Sequence, residues 1–195
     1  NYIGIATIIE KANPLTFQRT DSQWAKDGTY HFYHNNRIQA DYNSFEKLNW
    51  NFAKDNSQTF VKIEDKFTPF RGDSKSIKTL EDSDNTIDKE NVYWIRFDDN
   101  NKSYLVTIPF TDINKIKYLN YFMIIVENTV YYNGKKIIDA DAKSFEALGQ
   151  DYGKDARNVY YKNSIIKNAD SESFKEINRR YEDKNGKYKN GVLED

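Results

Sequence analysis

The sequence contains no Cys, one Met, three Pro and eight Gly. Without Cys there are no disulfide staples, thiolate nucleophiles or Cys-ligated metals. With so little Pro and Gly, most turn chemistry must come from Asn and Asp, which tolerate left-handed backbone and hydrogen-bond their own neighbours. No stretch approaches the roughly 20 apolar residues that a membrane helix requires, so no membrane insertion is expected. The longest apolar run, Tyr121 to Val126, is the size of a strand. An excess of one charge is missing too. The 29 basic and 30 acidic residues leave a net charge of -1, which argues against general binding to nucleic acid or anionic membranes. H-E-x-x-H, a glycine-rich phosphate loop and a Ser-His-Asp order are all absent, so no cofactor is expected. Residue 1 is Asn and the only Met is Met123, so a processed chain or a piece of one is expected, with any signal peptide out of view.

Aromatic residues, by contrast, are abundant, at 15% of the chain, with 15 Tyr, 12 Phe and three Trp. Disordered chains are poor in aromatics, so this chain is expected to fold despite a mean hydropathy of -0.90. At 195 residues it can bury a core unaided.

The chain repeats itself. Val130-Tyr131-Tyr132-Asn133 recurs 29 residues later as Val159-Tyr160-Tyr161-Lys162. Ala140-Asp141, Ser144-Phe145, Leu148 and Tyr152 recur at the same offset as Ala169-Asp170, Ser173-Phe174, Ile177 and Tyr181. Upstream, Ala40-Asp41, Ser44-Phe45 and Lys54-Asp55 fit the template, as do Ala12-Asn13, Thr16-Phe17 and Lys26-Asp27. Weaker copies begin at Gly72-Asp73 and Thr111-Asp112. Six anchors result: Asn13, Asp41, Asp73, Asp112, Asp141 and Asp170, spaced 28 to 39 residues apart. Near-constant spacing with extra residues in the central copies is the pattern of a tandem array with loop insertions.

These residues carry a resemblance to a known family. Asp88-Lys89-Glu90-Asn91-Val92-Tyr93 and Lys154-Asp155-Ala156-Arg157-Asn158-Val159-Tyr160-Tyr161 resemble the motif that names the bacterial DKNYY family. Asp183-Lys184-Asn185 with Tyr188 is a shortened copy. No copy carries an unbroken D-K-N-Y-Y, and Thr59-Phe60-Val61 replaces V-Y-Y in the second. The resemblance implies a repeat protein of unassigned activity, often met in exported proteins of low-GC bacteria, and supplies no catalytic residues.

Each copy reads as mainly β. Val130 to Ile137 places Asn133-Gly134 between short strand-forming runs, the strongest short hairpin signal, because a type I′ turn needs positive φ at both central residues. His34 to Arg37 makes the equivalent turn, and the Ala-Asp-x-x-Ser element reads as an Asx turn. The three-and-four spacing of Phe145, Leu148 and Tyr152 also suits a short helical turn per copy, which is the main alternative. The expectation is a single domain, residues 1–195, built as an array of about six β-hairpin or meander units of about 29 residues with about three strands each. A solenoid-like row and a closed propeller both fit.

Functional candidates are few. His31 and His34 lie on a strand-to-turn segment, where an offset of three points to opposite faces, so no metal site is expected. The recurring acids are more simply turn devices than catalytic pairs, which need unlike environments. Arg71-Gly72-Asp73 spells an adhesion tripeptide, yet Gly72-Asp73 is the local copy of Ala-Asp. The aromatic pairs Tyr131-Tyr132, Tyr160-Tyr161 and Tyr93-Trp94 are the binding candidates, because one ring of each could form an outer ladder for stacking. Lys135-Lys136 and Arg179-Arg180 read as local charge only. The leading expectation is a non-enzymatic module, periplasmic or extracellular, binding a protein or glycan partner along one face. A cytoplasmic immunity-type protein that neutralises a toxin is the alternative. A polysaccharide-active enzyme using Asp98 or Asp99 is the third reading.

Overall fold

The computed structural model describes residues 9, 11–81 and 83–194. They form six four-stranded antiparallel sheets, one per anchor, and within each sheet the strands lie in sequence order. The chain divides into two compact units, one ending at Thr107 and the other beginning at Ile108.

In the first unit, the first sheet holds β1 (Gln18–Arg19), β2 (Trp24–Lys26), β3 (His31–Tyr33) and β4 (Asn36–Ile38). The second holds β5 (Glu46–Lys47), β6 (Phe52–Lys54), β7 (Thr59–Ile63) and β8 (Lys66–Phe70). The third holds β9 (Lys78–Thr79), β10 (Thr86–Ile87), β11 (Asn91–Phe97) and β12 (Ser103–Pro109), and β12 leads into the second unit. There the fourth sheet is β13 (Ile116–Asn120), β14 (Met123–Val126), β15 (Thr129–Tyr132) and β16 (Lys135–Lys136). The fifth is β17 (Glu146–Ala147), β18 (Tyr152–Lys154), β19 (Val159–Tyr161) and β20 (Ser164–Ile165). The sixth is β21 (Lys175–Ile177), β22 (Arg180–Asp183), β23 (Gly186–Lys189) and β24 (Val192–Leu193).

Four strands per repeat replace the expected three, because the short runs of two to five residues after each anchor pair as edge strands. The helical alternative does not form. Glu146–Ala147 is β17 and Tyr152 opens β18, so Phe145, Leu148 and Tyr152 span a hairpin rather than a helix face. Among the described residues the only helix is a single 3-10 turn, Ile113–Lys115. No helix among the described residues is long and apolar enough to cross a membrane.

The hairpin prediction holds where it was most specific. Asn133 and Gly134 join β15 to β16 with φ of 47° and 79°. His34-Asn35 joins β3 to β4, and Glu64-Asp65 joins β7 to β8 with φ of 47° and 60°. Asn190-Gly191 does the same between β23 and β24. Two-residue loops of this hand match the right-handed strand twist, which is why even Glu is held at positive φ here.

Alternation decides the core. Trp24, Tyr33 and Ile38 of the first sheet meet Ala53, Phe60 and Phe67 of the second. From its other face the second sheet sends Phe52 and Val61 onto Ile77, Tyr93 and Ile95 of the third repeat. The second unit repeats the scheme. Met123, Ile125, Val130 and Tyr132 meet Phe145 and Tyr160, while Tyr152, Val159 and Ile166 meet Phe174 and Tyr188. Neighbouring strand residues therefore serve different interfaces, one toward the preceding sheet and one toward the next. Such small sheets cannot bury their rings alone, so stacking supplies the core.

Candidate functional site

Two features of each repeat carry its chemistry, a hydrogen-bonded node and the rings around it. The six anchors behave as the Asx reading predicts. The Oδ1 atoms of Asn13, Asp41 and Asp73 accept the backbone N–H of Leu15, Ser44 and Lys75 at 3.0 to 3.1 Å. Asp112, Asp141 and Asp170 do the same for Asn114, Lys143 and Ser173. The Asp170 carboxyl is held down at about 2, chiefly by the hydrogen bond from Lys184 Nζ.

The second acid of the template, to which sequence reasoning gave no role, is the centre of the node. Asp155 is 3% exposed. Its Oδ2 accepts the Asp141 N–H at 2.9 Å and the Tyr160 hydroxyl at 2.7 Å. Its Oδ1 accepts the N–H groups of Arg157 and Asn158, both at 2.8 Å. The Ala156 N–H is taken by Ser144 Oγ at 3.1 Å, which explains the serine of Ala-Asp-x-x-Ser. Asp27, Asp55, Asp88 and Asp183 hold Asn13, Asp41, Asp73 and Asp170 through the same bond. In the fourth repeat Glu127 stands after the second strand instead, and Oε1 accepts Thr111 N–H at 2.7 Å.

Burial pushes the Asp155 carboxyl up, but the surrounding N–H donors outweigh it and hold the group below its ordinary value. Burial and the adjacent Asp155 carboxylate push the Tyr160 phenol up to about 12. The nodes in the first two repeats lack that phenol, because Phe32 and Phe60 occupy its place five residues after the Asp. Tyr160→Phe therefore leaves a working node. It should lower the unfolding free energy in a denaturant titration by about 2 kcal/mol, one hydrogen bond to a charged acceptor.

The aromatic candidates fall mainly inside. Tyr93 and Trp94 are each 1% exposed, Tyr132 is 6% and Tyr160 is 0%. Tyr93 donates to Asp88 Oδ2 at 2.7 Å, and the Tyr132 hydroxyl donates to Asp151. Tyr131 and Tyr161 are half-buried. An outer ladder of rings does not form among these residues, because four of the six are buried. His31 stacks between Tyr42 and Phe45 with its Nε2 on the Tyr42 carbonyl, while His34 sits exposed in a turn. Asp73 of the adhesion tripeptide is an anchor. Asp98 caps the β11–β12 loop by accepting the N–H groups of Asn100 and Lys102.

One open cleft of about 1090 Å³ lies in the second unit, between the loop ahead of β18 and the sixth sheet. Of the six aromatic candidates, Tyr161 alone lines it. Tyr152 and Tyr181 stack at 3.8 Å between centroids with planes 21° apart, and Tyr161 lies 4.9 Å from Tyr152. Gly191 donates its N–H to the Tyr152 hydroxyl at 2.8 Å, and a Cβ there would come within 2.7 Å of the Tyr161 ring. Only glycine brings the main chain this close, and its φ of 77° suits no side chain well. Burial pushes the Tyr152 and Tyr181 phenols up, so both stay neutral at physiological pH. Arg179 and Arg180 also line the cleft, which gives them a place beyond local charge.

The family follows from the node: its acid, its Asn or equivalent three residues on, and the tyrosine behind them are the motif residues themselves. This chain belongs to the DKNYY family. The family's model matches it twice, over residues 24–164 and 71–192. Overlapping placements of one model are what a tandem repeat produces. No curated protein and no solved structure matches the chain. In this DKNYY chain the motif is thus a folding device, in which Asp ties the anchor loop to the second hairpin and Tyr plugs the preceding interface. The cleft residues outside it were missed because the sixth repeat departs from the template. Lys187-Tyr188-Lys189 stands where Val159-Tyr160-Tyr161 stood, and that departure is the signal that could have found them.

Proposed function

We propose that this DKNYY chain is a non-enzymatic repeat module that binds a protein or glycan partner through the cleft of its second unit. The observation that carries this reading is the cleft itself, a concave surface where half-buried tyrosine rings stand beside cationic side chains. Such a combination suits recognition, since rings offer flat contact and cations fix orientation. The absence of catalysis is supported by how the acids are used. Asp27, Asp55, Asp88, Asp155 and Asp183 each spend oxygens on backbone N–H groups, the use expected of structural acids.

The test is an array of immobilised glycans and peptides probed with the wild-type chain and with Arg180→Glu. Wild type should be retained on at least one class of feature, and the variant should lose that retention while melting at the same temperature. A blank array, or equal retention of both proteins, would overturn the reading.

A further inference from the structure

Strand register reveals what the sixth sheet is built to face. Tyr160 pairs with Gly153, and Tyr188 pairs with Tyr181. Because Tyr160 and Tyr188 each hold the node acid of their own repeat, Gly153 and Tyr181 are equivalent positions. The sequence alignment of Tyr152 with Tyr181 is therefore off by one. The residue in the place of Tyr152 is Arg180, and those in the places of Val159 and Tyr161 are Lys187 and Lys189. In the fifth sheet these three positions present two rings and a valine, which the sixth sheet covers. In the sixth sheet the same positions present three exposed cations. Where earlier repeats offer rings to a neighbouring sheet, this one offers positive charge to water.

The cations are also uncommitted. Elsewhere Lys47, Lys54, Lys89 and Lys184 lie within 4 Å of a carboxylate. Among the described residues Arg179, Arg180, Lys187 and Lys189 form no ion pair. All four line the cleft, together with the rings of Tyr161 and Tyr181. Three carboxylates share the wall: Asp151, Glu176 and Glu194. Asp151 is taken by the Tyr132 hydroxyl.

We propose that this cleft takes an anionic glycan, a chain of sugar rings bearing carboxylates. The inference rests on the binding reading above and names its ligand. Each part of the wall has a counterpart in such a ligand. Guanidinium forks pair bidentately with carboxylates, and phenol rings stack on the flat C–H faces of sugars. The carboxylates of Glu176 and Glu194 accept sugar hydroxyls. A neutral glycan would leave the four cations unmatched. A single-stranded DNA would stack and pair its phosphates, but its backbone brings no hydroxyl donors to the acids.

The experiment is calorimetric titration with three probes: tetragalacturonate, its fully methyl-esterified form, and an oligothymidylate of eight nucleotides. Each is titrated into wild type and into Arg180→Ala/Lys187→Ala, whose exposed side chains can be removed without opening the core. Tetragalacturonate should bind wild type at least about tenfold more tightly than the ester does, and the double variant should lose about tenfold with an unchanged melting temperature. Equal binding of acid and ester would overturn the anionic inference while leaving the binding reading intact. Tighter binding of the oligothymidylate, unchanged affinity in the variant, or no heat with tetragalacturonate would also overturn it. A blank array as well would remove both.

Discussion

Asp155→Ala is expected to lower the unfolding free energy of the second unit by about 4 kcal/mol, among the largest effects any single substitution in this chain should have. The carboxylate holds three backbone N–H groups and one phenol in a site only 3% exposed. Removing it orphans the three N–H groups, each costing about 1–3 kcal/mol unless water reaches it, while the Tyr160 hydroxyl keeps the Asp139 carbonyl at 3.2 Å. Asp155→Asn separates charge from shape. One amide oxygen can still accept the Arg157 and Asn158 N–H groups, but an NH2 then faces the Asp141 N–H, donor against donor, and the Tyr160 hydroxyl must turn to accept from it. Its cost should be about 3 kcal/mol, read from denaturant midpoints at constant slope. A loss below about 1 kcal/mol in either variant would mean that the node is not the tie proposed.

The same node sets the pH limits of the fold. The folded-state carboxyls of Asp27, Asp55, Asp88, Asp155 and Asp183 lie below their ordinary value of 3.8. A depressed pKa contributes stability that is complete above the unfolded value and fades as pH falls through the folded one. Acid unfolding should therefore start below about pH 4 and steepen toward pH 2. Tyr160 has the opposite sign. Its phenol is raised to about 12, so its contribution is complete below pH 10 and is lost as pH rises through 12. Melting temperatures between pH 2 and 12 would show both limbs, and Asp155→Ala should flatten the acid one.

Phe60→Ala is the second large effect, expected to cost about 3–5 kcal/mol. Phe60 is 1% exposed and packs with Trp24, Tyr33, Ile38 and Phe67 between the first two sheets. In an array, each sheet is stabilised by its immediate neighbours, so the damage should stay local. Hydrogen exchange should accelerate across β1 to β8 while the amides of β17 to β24 keep their rates. A uniform acceleration along the chain would show instead that the sheets unfold as one cooperative body.

Short-range signals were legible and long-range ones were not. Asn133-Gly134 announced its hairpin because the turn's φ requirement acts on two adjacent residues. The anchors announced their Asx turns for a similar reason, since the acceptor and the N–H lie two or three residues apart. The buried acid of Lys-Asp was visible as a repeated letter but not as a node, because its key partner lies about 14 residues upstream. The tyrosine pairs misled for a related reason. Alternation correctly placed the two rings on opposite faces, yet whether a face is wet depends on the sheet beside it.

The repeat, its β character, its turns and its family were thus written in the local order of residues, since each depends on backbone preferences acting over a few positions. Which tyrosines are buried, which acids are tied and where the cations gather became visible only once the sheets were stacked. Burial and electrostatics are properties of what lies across a contact, and that neighbour is a full repeat away along the chain.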